Sequence, residues 1–88
     1  MHIKKEDLTI VIVTFESENV IHECIKSIDQ ELDIIIVDNS NNLKLKDQIE
    51  KKYKKIKYIL STENLGMGAG NNLGIENVKT NYALILNP

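Results

Sequence analysis

The chain has little of several things. In 88 residues it has one cysteine, one proline, no tryptophan and four glycines, and all four glycines lie between positions 66 and 74. A lone Cys24 leaves no intramolecular disulfide, and on the apolar side of a predicted helix it reads as a small core residue rather than a nucleophile. No apolar run approaches the ~20 residues of a membrane span. Lys4-Lys5-Glu6-Asp7 ahead of an apolar stretch of about seven residues does not read as a secretory leader. The net charge of −2 argues against general affinity for nucleic acid or anionic lipid. A soluble, reducing, cytoplasmic setting is expected. His2 and His22 have no partners at metal or triad spacing. No Gly-Lys-Ser/Thr follows a glycine-rich turn, which excludes a P-loop.

The length allows one small domain or part of a larger one, burying only roughly 60–65% of its unfolded surface. Within it, Leu8 to Val13 is β-branched and nearly all apolar, the habit of a strand covered on both faces. Ser17 is placed to cap a helix over 18–30 whose stripe is Val20, Ile21, Cys24, Ile25 and Ile28. Ile34 to Val37 is a second buried strand, introduced by Asp33 and broken by Asp38-Asn39-Ser40-Asn41-Asn42. A second helix over 43–55 turns Leu45, Ile49 and Tyr53 inward. Its outer face and the turn beyond carry Lys44, Lys46, Lys51, Lys52, Lys54, Lys55 and Lys57, with Asp47 and Glu50 among them. That reads mainly as a solvated face, with contact to anionic lipid or a lipid-linked phosphate as the other reading. Lys57 to Ser61 is a third strand, 67–78 a third helix with Leu73, Ile75 and Val78 at helical spacing, and Tyr82 to Leu86 a fourth strand.

Strands and helices alternate without repeats or linkers. The expected fold is α/β: a Rossmann-like three-layer αβα arrangement with a parallel sheet of four strands in order 3-2-1-4. Ligands of such folds bind beyond the carboxyl ends of the strands, near the point where winding reverses. The polar segments fall at those ends: Thr14-Phe15-Glu16, Asp38-Asn39-Ser40, Glu63-Asn64 and Asn87. Glycines between a strand and a helix let backbone approach a ligand, and the amides of Asn64, Asn71 and Asn72 suit a sugar or a phosphate ester. A dinucleotide fingerprint is excluded, because it belongs after the first strand and these glycines follow the third.

Four motifs in order, Thr14-Phe15-Glu16, Val37-Asp38-Asn39-Ser40, Asn64-x-Gly66-x-Gly68-x-Gly70-Asn71-Asn72-x-Gly74 and Leu86-Asn87-Pro88, resemble family 2 glycosyltransferases of the GT-A fold. The run is most similar to the rhamnosyltransferase-like branch that builds bacterial surface polysaccharide. The resemblance implies that Asp38 accepts the N3–H of a uracil or thymine ring, a bond whose loss weakens nucleotide binding by about ten- to a hundredfold. It implies that Thr14 and Phe15 border the base, that Glu16 takes a ribose hydroxyl, and that Asn64, Gly66, Gly68, Gly70 and Asn71 line the ribose and diphosphate. Many relatives carry an arginine near Gly70; none stands here, which leaves the phosphates to backbone N–H groups and a metal.

In that family Asn-Pro leads into an Asp-x-Asp-like element that holds Mg²⁺ or Mn²⁺, and the sequence ends at Pro88. Residues 1–88 are therefore expected to be the nucleotide-binding, amino-terminal part of a partial GT-A domain, truncated before the metal motif. Such a part lacks catalytic groups, is inactive alone, and needs no cofactor without nucleotide. In the full enzyme the resemblance implies in-line displacement with inversion, from a UDP- or dTDP-sugar to a glycan or lipid-linked acceptor, at or near the inner face of the membrane. The alternative is a non-catalytic nucleotide-binding or oligomerisation module. Self-association through an exposed fourth strand is expected on either reading.

Overall fold

The computed structural model describes residues 3–61 and 66–88. After a short 3-10 turn at Lys5–Asp7 the elements are β1 (Leu8–Thr14), α1 (Glu18–Lys26), β2 (Asp33–Asp38), α2 (Leu43–Lys52), β3 (Ile56–Leu60), α3 (Gly66–Glu76) and β4 (Tyr82–Leu86). All strand pairings are parallel and the sheet order is β3-β2-β1-β4. This is the expected α/β topology.

Strand alternation sorts the apolar runs onto two faces. Ile10, Ile12, Ile34 and Ile36 meet Ile21 and Ile25 of α1 and Leu45 and Ile49 of α2 in one core cluster. Val13, Ile35 and Val37 meet Leu73 and Val78 on the α3 side in a second, thinner one. The result is three layers. Each fully buried isoleucine stabilises by roughly 2–3 kcal/mol, so the α1–α2 face carries most of the cohesion.

The helices are shorter than the apolar spacing suggests. α1 stops at Lys26 rather than near residue 30. There Ser27 Oγ donates to Cys24 O at 2.6 Å, and the Gln30 side-chain amide donates to Ile25 O and Ile28 O at 3.0 and 2.9 Å. Those carbonyls are then satisfied without a further turn. Val20 and Ile75, assigned to buried stripes, are 49% and 47% exposed. Ser17 precedes α1, but its hydroxyl donates to Phe15 O at 3.1 Å and makes no cap bond. Asn42 does cap α2, accepting from Leu45 N at 3.0 Å.

Lys46 corrects the picture of a wholly solvated lysine face. β3 is an edge strand, and the main-chain groups of Tyr58 point away from β2. Glu50 accepts from Tyr58 N at 3.3 Å, and Lys46 Nζ donates to Tyr58 O at 2.7 Å. Lys46 and Glu50, one helical turn apart, are themselves 3.6 Å apart. The pair stands in for a neighbouring strand and blocks that edge.

Candidate functional site

The parallel register brings three strand ends level: Thr14 lies opposite Asp38, and Asp38 opposite Leu60. Two main-chain bonds extend the tie past the ladder. Asn39 N donates to Thr14 O at 2.8 Å, and Ser61 N donates to Asp38 O at 3.0 Å. β4 reaches the same rim, since Leu86 pairs with Ile12 and Asn87 follows it.

Asp38 is the best-anchored group on this rim, and its role differs from the expected one. Its side chain is 1% exposed. Oδ1 accepts from the Ser40 amide at 2.8 Å and from the Ser40 hydroxyl; Oδ2 accepts from Asn42 N at 3.3 Å and from the Tyr58 phenol at 2.7 Å. A carboxylate has about four lone-pair positions, and all are in use. None is offered to a pyrimidine. Asp38 instead folds the 38–42 turn around itself, with Asn41 at φ 56°, a left-handed conformation that asparagine tolerates. The next side chain, Asn39, is buried on this rim beside α3.

Burial, then the hydrogen bond to Asp38 and the charge of Asp38, push the Tyr58 phenol far above its ordinary pKa. Tyr58 escapes a reading of the sequence alone, because twenty residues separate it from Asp38. The only local signal was the Asp-x-Ser-x-Asn spacing, which suits a carboxylate gathering nearby amides.

The glycines divide by function. A Cβ on Gly70 would stand 2.7 Å from Val13 Cγ1 and 3.6 Å from the Asn39 amide nitrogen, and one on Gly74 would collide with Val11 Cγ1. Four residues apart on one helical face, these two glycines seat α3 on β1. Both are required by packing, a role the motif run did not assign to them. Gly68 has nothing within 4 Å of its would-be Cβ and faces open space. Gly66 begins α3.

Phe15 is 50% exposed at the end of β1, and Glu16 beside it is exposed with φ 50°. Among the described residues, Thr14 Oγ1 and Asn71 Oδ1 are buried with no hydrogen-bond partner. Asn64 lies outside the described residues. The structure thus brings Thr14, Asp38, Asn39 and Gly70 together, with Phe15, Glu16 and Asn71 adjoining them in sequence.

Cys24 is half-buried in α1, and burial pushes its thiol up, as suits a core residue. Among the described residues no three His, Cys, Asp or Glu side chains come together to hold a metal. Among the same residues no helix is long and apolar enough to cross a membrane.

Comparison with known proteins adds three findings. The family model for glycosyl transferase family 2 matches residues 9–88. The chain is 33% identical over 87 residues to the low-salt glycan biosynthesis hexosyltransferase Agl10 of Haloferax volcanii, covering 94% of this chain and 28% of that protein. It superimposes on the crystal structure of S. aureus TarS 1-349 with a TM-score of 0.76 at 23% identity, over 92% of this chain and 27% of that one. The chain therefore spans little more than a quarter of the length of the relatives it matches.

Proposed function

Because this chain belongs to glycosyl transferase family 2, we propose that its rim binds the nucleoside diphosphate of a UDP- or dTDP-sugar. On this reading residues 1–88 are the nucleotide-binding part of a GT-A enzyme that passes the sugar to a polysaccharide or lipid-linked acceptor. The observation that carries it is the convergence on one rim of the end of β1, the 38–42 turn and Gly70 of α3, which lies beside Val13 and Asn39. Gly68, two residues before Gly70, has nothing within 4 Å of its would-be Cβ.

The roles follow from the chemistry present. Phe15 offers an apolar face to the base. Thr14 and Asn39 border the base, and the turn that Asp38 organises presents its edge groups. Glu16 takes a ribose hydroxyl. At Gly66 and Gly68 the amino-terminal turn of α3 faces the diphosphate with N–H groups that have no partner inside the helix, and Asn71 follows one turn further on. Asn64 keeps its proposed place beside the ribose. The chain has no arginine, so these N–H groups are its principal phosphate contacts.

A divalent metal of the full enzyme, and the base that deprotonates the acceptor, belong to groups outside the described residues. The rhamnosyltransferase-like assignment, and a cytoplasmic position peripheral to the inner face of the membrane, rest on the motif run and the lysine-rich segment. A second reading, a nucleotide-binding or oligomerisation module without catalysis, is favoured by one observation: the apolar, exposed edge strand β4.

Isothermal titration of UDP, dTDP, ADP and GDP into the chain tests the reading. Saturable heat with the two pyrimidine nucleotides and a weaker response to the purines is expected. Equal responses, or none at millimolar nucleotide, would remove it.

A further inference from the structure

The sheet has a second end, and it is built differently. Where the strands begin, a hollow of about 330 Å³ opens between the first residues of β2, the α2–β3 turn, Lys57 of β3, and Asn77 and Lys79 after α3. That volume is at the lower limit of small-molecule sites, about 300–1,000 Å³. Four lysines line it, Lys54, Lys55, Lys57 and Lys79, against one acidic residue, Asp33.

Among the described residues none of the four lysines forms an ion pair; the pairs involve Lys5, Lys26 and Lys46. Lys55 donates to Glu31 O and Lys57 to Asn77 Oδ1, each at 2.9 Å. These are neutral acceptors, and each ammonium has three donors. Neither bond compensates the charge of its lysine, and Asn77, the acceptor for Lys57, itself lines the hollow. In a chain of net charge −2, a local excess of about three positive charges calls for a multiply charged oxyanion rather than a single carboxylate.

We propose that this hollow binds a phosphate-bearing anion, a phosphate monoester or diphosphate, through Lys54, Lys55, Lys57 and Lys79. It lies at the opposite end of the strands from the rim, and it stands whether or not the rim takes a nucleotide. Phosphate of this kind comes either free in solution or as the headgroup of a membrane lipid.

Amide spectra of the chain during titration with inorganic pyrophosphate, against sodium chloride at matched ionic strength, test the site. Saturable shifts at residues 54–57 and 77–79 are expected with pyrophosphate and not with chloride. The double variant Lys54→Gln/Lys79→Gln weakens binding by about tenfold, whereas Lys44→Gln/Lys51→Gln, on the exposed face of α2, leaves it unchanged. Circular dichroism of both variants confirms that they fold. Flotation with phosphatidylcholine vesicles, with and without phosphatidic acid, separates the sources. Capture that needs phosphatidic acid and is lost in the first double variant assigns a headgroup; pyrophosphate saturation without capture assigns a soluble phosphate. Shifts that track ionic strength alone, or equal losses from both double variants, would overturn the site.

Discussion

The phenol of Tyr58 donates a 2.7 Å hydrogen bond to Oδ2 of Asp38, and both side chains are buried to 1% exposure. Through that bond β3 holds the turn that follows β2. Removing the hydroxyl while keeping the ring leaves a buried carboxylate one donor short. Tyr58→Phe should cost about 2 kcal/mol, read from urea unfolding. It should also speed hydrogen exchange at the Ser40 and Asn42 amides, which bond the same carboxylate. Loss of stability with unchanged exchange at those amides would make Tyr58 packing only.

The same phenol sets an alkaline limit. Its folded pKa is raised well above the ordinary 10.0, first by burial and then by Asp38. Above pH 10 the unfolded chain releases this proton and the folded chain keeps it, so the unfolded state binds fewer protons. The contribution is whole below pH 10, and stability falls as pH climbs beyond it, by up to about 1.4 kcal/mol per pH unit. Unfolding midpoints measured from pH 8 to 11.5 should show this slope, and Tyr58→Phe should flatten it.

Gly68 and Gly74 should respond oppositely to the same change. Gly74→Ala drives a methyl into Val11, which sits in the packed centre of β1. It should cost about 1–3 kcal/mol. Gly68→Ala meets nothing within 4 Å and gains helix propensity, stabilising by about 0.5–1 kcal/mol. Thermal melts of the two variants check the pair; equal effects would contradict the seating of α3.

β4 is an edge strand whose Leu84 is 51% exposed, with Tyr82 and Ile85 also open. Sedimentation velocity over a concentration series should show self-association, and Leu84→Lys should reduce it by placing a charge on the edge. A monomer at every concentration would remove the expectation.

The strand order and both core layers were legible because β-branched runs and polar breaks recur at regular spacing, and each run can be buried only between helices. The carboxyl-end rim was legible for the same reason. What individual polar groups do there was not. Asp38 spends its lone pairs on Ser40, Asn42 and a tyrosine on another strand, and Lys46 folds over an edge that exists only once the sheet is assembled. The packing role of Gly70 and Gly74 was hidden because a glycine that seats a helix and one that clears a ligand are the same letter. Only the neighbouring valines separate them. The lysine hollow draws on four segments distant in sequence, so the sequence showed a basic helix but not a cavity.

The central claim is that a pyrimidine nucleotide sits on the rim between β1, the 38–42 turn and α3. Amide and side-chain spectra of the chain during a UDP titration test it directly. The account predicts saturable shifts at Thr14, Phe15, Asn39, Ser40, Gly68 and the Asn71 side-chain amide, whatever happens at the lysines of the other end. A rim that stays unmoved at saturating UDP would contradict it.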